Sequence, residues 1–406
     1  MTKRGPSKHL YFPLTRRHFI KGAAAGAVIM GAPAVLKGLT RKAKGAEKGT
    51  VRFLMTAPTI IPGDWKTFEA ETGIKMQDTV MKDDPGLFLT ELSANDAGDR
   101  FDIISTLAGV EKPLIEQGLI IPIEHKNLPN WAGMPPNVSQ MPYLQRELKP
   151  EGGTVWGTPL VMNADTFGYF PDKLKEPYPP EEVSWSLVFD DERTKGKSAT
   201  GTMFYYLEEC AIYLKGAGKM EIGDPCNMTA DEANKVADYL IERKKANQFR
   251  SWHTTFDDQV QLIKNGEVIA IRCWEPAVKE AQKAGMKDFV YAYGKEGNLK
   301  WMHACYIPAQ VKERGNWEEI YKTINWLLSG SYASAITPLR GYISGRPDLA
   351  VEYAKSKGIT DDAVGASIKE AEDKLKYKFA KELSWFTGAP DNLPDIQAAM
   401  DRVLNA

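Results

Sequence analysis

The first 46 residues hold no aspartate or glutamate, against ten lysines and arginines. The whole chain of 406 residues carries a formal net charge of -1, so removing those ten positive charges leaves about -11 on residues 47–406. An acidic body of this kind argues against a nucleic-acid partner held through phosphate contacts. Cysteine is scarce: Cys210, Cys226, Cys273 and Cys305 are the only four, and none stands in CxxC spacing, which leaves zinc-ribbon and dithiol redox chemistry without support. Five histidines make a histidine-based metal centre a poor expectation. A dinucleotide fingerprint, a P-loop and an HExxH helix are all missing, so no cofactor is expected. No apolar run reaches bilayer-spanning length; the stretch Gly22 to Leu36 stops at 15 residues, the size of a signal h-region.

What the chain does have is enough apolar residue, 43%, to build a core, and enough length for two lobes. Its basic start reads TRRHFIKGAAAGAVIMGAPAVLKG. Arg16 and Arg17, followed by Phe19, Ile20 and Lys21, resemble the twin-arginine export signal, an address read by a translocase. Ala32-Pro33-Ala34 and Ala46 are candidate cleavage sites. The first cysteine is Cys210, so no lipid-bearing cysteine follows the signal, and a free protein outside the cytoplasmic membrane is expected. Two disulfides could form there, with three pairings open.

Beyond the signal, strands and helices alternate, which predicts an α/β fold on a parallel or mixed sheet. TVRFLMTA reads as a strand, and DWKTFEAETGIKM as a helix ending at Gly73 that leads into a second strand. RFDIISTLAG, TVWGTPLVMNADTFGYF and GEVIAIRCW read as further strands. Helices are expected over Ala230 to Ala246, over NWEEIYKTINWLLSG with Gly330 closing it, and over SIKEAEDKLKYKFAKELSWF. Tryptophan and tyrosine gather at strand ends and in loops: Trp156, Trp252, Trp274, Trp301 and Tyr342. Aromatic walls beyond the strand ends of an α/β sheet suit a small-molecule cleft.

The order of these segments resembles the periplasmic solute-binding proteins of ABC importers, in the spermidine/putrescine-binding branch. FEAETGIKM, FDIISTLAGVEKPLIEQGLIIPIE, VWGTPLVMNADTFGYF, VSW with KGKSA, GEVIAIRCWEPAVKEAQKAG, YGKEGNLKWMHACYIP and RGYISGRPDLA follow one another in that family's sequence. The resemblance implies a two-lobed, type II-like α/β architecture that closes over ligand between lobes joined by crossing strands. It places a signal and linker at residues 1–46. Lobe 1 would hold residues 50–162 and about 302–350, and lobe 2 residues 163–301 and about 351–406. It also implies a monomer that delivers a small organic solute to an inner-membrane permease.

Residue by residue, the resemblance puts the family's two cleft tryptophans on Trp274 and Trp301 and its late cleft tyrosine on Tyr342. The acid after the second tryptophan becomes His303, and two helix-start acids fall near Met203 and Tyr206. First-lobe polar positions become Ala57 and Thr59, and lie near Leu107 and Gly109. Each lost charge-assisted hydrogen bond removes about 1.5–3 kcal/mol, so tight binding of a linear polyamine is not expected. Glu275 could supply a relocated carboxylate, while Arg272 or Arg340 could hold a ligand carboxylate. Two other readings compete. An exported hydrolase would use His303 with Cys305, or His253 with Asp257 and Asp258; a ferric binder would use Tyr205 and Tyr206.

Overall fold

A computed structural model of the chain describes residues 48–61, 65–81, 85–94, 97–107, 109–139, 154–359, 362–377, 384–388 and 390–406. Arg16, Arg17 and the whole export segment lie outside the described residues. Twelve strands form a mixed sheet. They are β1 (Thr50–Thr56), β2 (Lys75–Met81), β3 (Ile103–Leu107), β4 (Ile120–Ile121), β5 (Thr158–Tyr169) and β6 (Ser198–Gly201). After them come β7 (Phe249–His253), β8 (Ala270–Cys273), β9 (Val290–Tyr291), β10 (Asn298–Pro308), β11 (Ile343–Ser344) and β12 (Ser384–Phe386). The main path runs β2-β1-β3-β10-β5-β8-β6-β7.

Two strands carry the architecture. Every residue of β5 and of β10 is buried, the polar Asn163, Asp165, Lys300 and His303 included, so both strands are covered on both faces. The strands pair antiparallel with each other, Leu299 opposite Asp165 and Trp301 opposite Asn163. The far half of β10 pairs with β3, and the far half of β5 with β8. Each half serves a different apolar core. Leu160 to Ala164 of β5 join the core built on Val51, Phe53, Ile103 and Ile324, whereas Phe167 and Tyr169 join the one built on Trp185, Leu207 and Val236. These are the two lobes, and β5 crosses from one to the other.

The Pro347–Ser356 and Asp362–Tyr377 helices pack on the Gly330–Arg340 helix, and Ala371 and Leu375 enter the first core. Only the last helix, Leu393–Asn405, packs on the second-lobe helix Ala230–Lys245. Two local expectations change. Gly330 opens a helix instead of closing one, because a Cβ there would collide with the Leu349 carbonyl; the preceding helix is Trp317–Leu327, capped at Leu328. The end of SIKEAEDKLKYKFAKELSWF leaves the helix: Ser384–Phe386 is a strand parallel to Asn298–Lys300.

The Ala230–Lys245 helix starts on a capping box in which Thr229 and Glu232 satisfy each other's backbone N–H. Thr229→Ala is therefore expected to lower stability by about 1 kcal/mol, read as a lower urea midpoint with an unchanged slope. All four cysteines are buried free thiols, so neither disulfide is present. Among the described residues, no helix is long and apolar enough to cross a membrane.

Candidate functional site

The crossing of β5, β8 and β10 gathers charge and aromatic surface in one place. Trp301 donates its indole N–H to Asp165 Oδ1 at 2.6 Å. Arg272 on β8 donates Nη2–H to the other oxygen of Asp165 at 2.6 Å, and Nε–H to both oxygens of Glu209 at 2.8 and 2.9 Å. The arginine and Glu209 are fully buried and Asp165 nearly so. Burial pushes the Glu209 carboxyl upward while Arg272 opposes it. The guanidinium carbon lies 4.6 Å from the Tyr206 ring centre and 5.5 Å from those of Tyr205 and Trp274, a cation caged by aromatic faces. Tyr342 meets Trp301 edge to face at 5.0 Å, and His303 does so at 5.5 Å.

Behind Trp274 stands a neutral relay. His253 is buried, and burial followed by the nearby Arg272 charge holds its imidazole down to about 3. Its Nε2 is therefore the donor to the Arg272 carbonyl at 2.8 Å, and its Nδ1 accepts from the Gln259 amide at 3.4 Å. Gln259 Oε1 in turn accepts the Trp274 N–H at 3.0 Å. The backbone of both cleft residues, 272 and 274, is thus pinned from the second-lobe side.

Glu275 opens the Glu275–Lys283 helix directly after Trp274. One oxygen accepts from Asn163 Nδ2 at 2.9 Å and the other pairs closely with Lys374. Lys374 Nζ also donates to the Gly341 carbonyl at 3.0 Å and faces Glu370 at 2.9 Å. Gly341, which precedes Tyr342, has a φ of 73°, and a Cβ on it would lie 2.8 Å from Glu275 Oε1.

The remaining sequence candidates divide. His303 Nδ1 is 2.9 Å from Thr56 Oγ1, and His303 faces Leu107 across the β10–β3 ladder. Thr59 lies nearby, its hydroxyl donating to the Thr56 carbonyl at 2.8 Å and its carbonyl accepting from Tyr332 at 2.8 Å. Met203, 39% exposed, accepts the Tyr205 hydroxyl on its sulfur. Arg340, half-buried, reaches the Ala57 carbonyl at 3.2 Å, and the Gly109 N–H donates to Glu111.

The chemistry of the rival readings fares poorly here. Burial pushes the Cys305 thiol far up, away from the thiolate a nucleophile needs. Asp258 is spent on capping Thr255, and the neutral His253 has both nitrogens engaged. The guanidinium over Tyr206 is a repulsive neighbour for a ferric ion, and among the described residues no group of three His, Cys, Asp or Glu could hold a metal ion.

Three residues escaped the sequence reading: Asp165, Glu209 and Lys374. Asp165 and Glu209 had a usable signal, since each is an acid inside a mostly apolar segment, VMNADTF and YYLEECAIYL, the latter with Glu208 beside it. Such acids are rarely buried unpaired. Two surface hollows lie elsewhere; none of the residues lining the larger, Ile121, Trp317 and Tyr321 among them, belongs to this cluster.

The bacterial extracellular solute-binding protein family matches residues 65–363. A search of the curated proteins finds no match. Among solved structures, the spermidine/putrescine ABC transporter substrate-binding protein of Streptococcus pneumoniae is 13% identical with a TM-score of 0.65, over 87% of this chain and 99% of that one. An ABC transporter substrate-binding protein from Bradyrhizobium japonicum is 17% identical with a TM-score of 0.59, over 88% of this chain and 98% of that one. A GABA receptor is 15% identical with a TM-score of 0.55, over 87% of this chain and 95% of that one. At these identities the likeness speaks for the two-lobed fold. With the family match spanning most of its length, the chain belongs to the bacterial extracellular solute-binding proteins, which capture small solutes for ABC importers.

Proposed function

We propose that this protein is exported by the twin-arginine route directed by Arg16 and Arg17 and captures a small organic solute between its lobes for an inner-membrane importer. Trp274, Trp301 and Tyr342 form the walls, and Tyr206, His303, Thr59 and Leu107 lie at the edges. The solute is neutral, zwitterionic or anionic, not a linear polyamine. One observation carries this reading: the buried carboxylates Asp165, Glu209 and Glu275 beside the aromatic walls are each matched to a cation of the chain, the first two to Arg272 and the third to Lys374. A polyamine would have to bury ammonium groups without a free acid, at a cost of several kcal/mol.

Mass spectrometry of solute carried through purification tests the capture directly. Calorimetry with 4-aminobutyrate, succinate, putrescine and spermidine tests the charge class. Binding of putrescine or spermidine at submicromolar dissociation constant would overturn it. Trp301→Ala and Trp274→Ala are each expected to weaken binding of the recovered solute about 30-fold or more, the loss of about 2 kcal/mol of wall contact, with far-ultraviolet circular dichroism unchanged.

A further inference from the structure

We infer that Lys374 is a specificity residue: its ammonium takes, from within the chain, the carboxylate that a cationic solute would need. The inference deepens the reading of the cleft as a solute site and rests on it. The ammonium lies among the segments that carry the walls. Its acceptor Glu275 is the neighbour of Trp274, and its second acceptor, the Gly341 carbonyl, is the neighbour of Tyr342. The other oxygen of Glu275 is held by Asn163, which stands opposite Trp301 in the β5–β10 ladder. Lys374 and Glu275 are both buried, at 1% and 3% exposure.

The surroundings fit a small cation. Gly341 contributes a carbonyl at 3.0 Å and, having no Cβ, leaves Glu275 Oε1 approachable. A second cation, Lys279, stands 4.0 Å from the same carboxylate, and Glu370 pairs with Lys374 from its own helix. Lys374 reaches this spot from the Asp362–Tyr377 helix, which packs with the first lobe, whereas Glu275 belongs to the second. Because the lysine is tethered, a free amine competes against an effective concentration that can reach the millimolar range or above. An alkylammonium therefore loses this acid to Lys374, while a solute without positive charge is indifferent to it. Removing the lysine should expose an ammonium site that the family's polyamine-binding relatives would find familiar in chemistry, though built from different residues.

The test is chemical rescue, which requires no knowledge of the natural solute. Lys374→Ala is compared with the wild type by thermal unfolding in millimolar n-propylammonium chloride, with sodium chloride at equal ionic strength as the reference. The wild type is expected to show no difference between the salts. Lys374→Ala is expected to melt several degrees lower in sodium chloride and to recover part of that loss, saturably, in n-propylammonium. Its affinity for n-propylammonium by calorimetry should exceed that of the wild type by about tenfold or more, the equivalent of one charge-assisted hydrogen bond. Adding Glu275→Gln to the variant should erase both effects. Equal responses of wild type and Lys374→Ala, or rescue that persists without Glu275, would overturn the assignment. Should Lys374→Ala fail to fold, Lys374→Met keeps the aliphatic stem and carries the same calorimetric comparison. If the walls bind no solute at all, that shows in the tryptophan variants; if Lys374 has no such role, that shows here.

Discussion

Arg272→Ala is expected to cost about 3–5 kcal/mol of folding stability, because it leaves Asp165 and Glu209 in the interior without their shared cation. The arginine has no exposure, so water cannot take over the role of the lost guanidinium. Two carboxylates converge on one positive group, and the Trp301 indole N–H alone remains for Asp165. The loss should shrink as pH falls, since burial raises the Glu209 carboxyl and its protonated form needs no counter-charge. Replacing the whole group, with Arg272→Met, Asp165→Asn and Glu209→Met together, should restore much of the stability, as an apolar set of similar volume needs no pairing. Urea unfolding of the single and triple variants at pH 7 and pH 5 measures both parts. A single-variant loss below about 1 kcal/mol would show that the cluster is hydrated and that its pairing matters little.

The second large effect is on acid stability, and it belongs to His253. Its imidazole is held down to about 3 in the folded protein, from an ordinary value of 6.5, by burial first and by the Arg272 charge second. The unfolded chain therefore takes up the proton first as pH falls. The contribution is fully present above about pH 6.5 and drains away on acidification until the folded imidazole protonates near 3. From pH 6.5, where the unfolded imidazole is already half protonated, to pH 4.5 this amounts to about 2 kcal/mol. Glu208 and Glu209, whose carboxyls burial pushes up, drift the opposite way over part of that range, so the wild type alone would show a blunted trend. His253→Gln keeps a donor for the Arg272 carbonyl and removes the titration. The gap between wild type and variant should narrow by about 2 kcal/mol from pH 6.5 to 4.5 in urea titrations. Parallel pH profiles would rule the assignment out.

Much of the fold could be read in advance because its signals are local. Gly73 closes its helix in the left-handed conformation, and the TVWGTPLVMNADTFGYF segment, which reads as a strand, forms β5. The meeting of Trp301, His303 and Tyr342 followed from segment order. The partners of Glu275 did not. Lys374 sits in SIKEAEDKLKYKFA, one of several lysines at helical spacing, and nothing local marks it as the buried one. Its role depends on the Asp362–Tyr377 helix folding back onto the Gly330–Arg340 helix, a long-range packing choice. Arg272 was legible as an oddity, a charge inside an otherwise clean strand, but its two acceptors come from positions 63 and 107 residues away.

The shared strands also govern the order in which the molecule can assemble. β3, made early in the chain, pairs with β1 on one edge, but its other edge is covered only when residues 303–306 of β10 arrive, and the first core is completed by residues as late as Leu375. During synthesis the amino-terminal lobe therefore waits as an incomplete sheet with an open edge while the second lobe, lying between its pieces, is made. Such late closure slows folding and leaves apolar surface open in the interim. The partly made chain should depend on chaperones until its last residues emerge, since the second core too is completed late, by Ile396 and Val403 of the last helix.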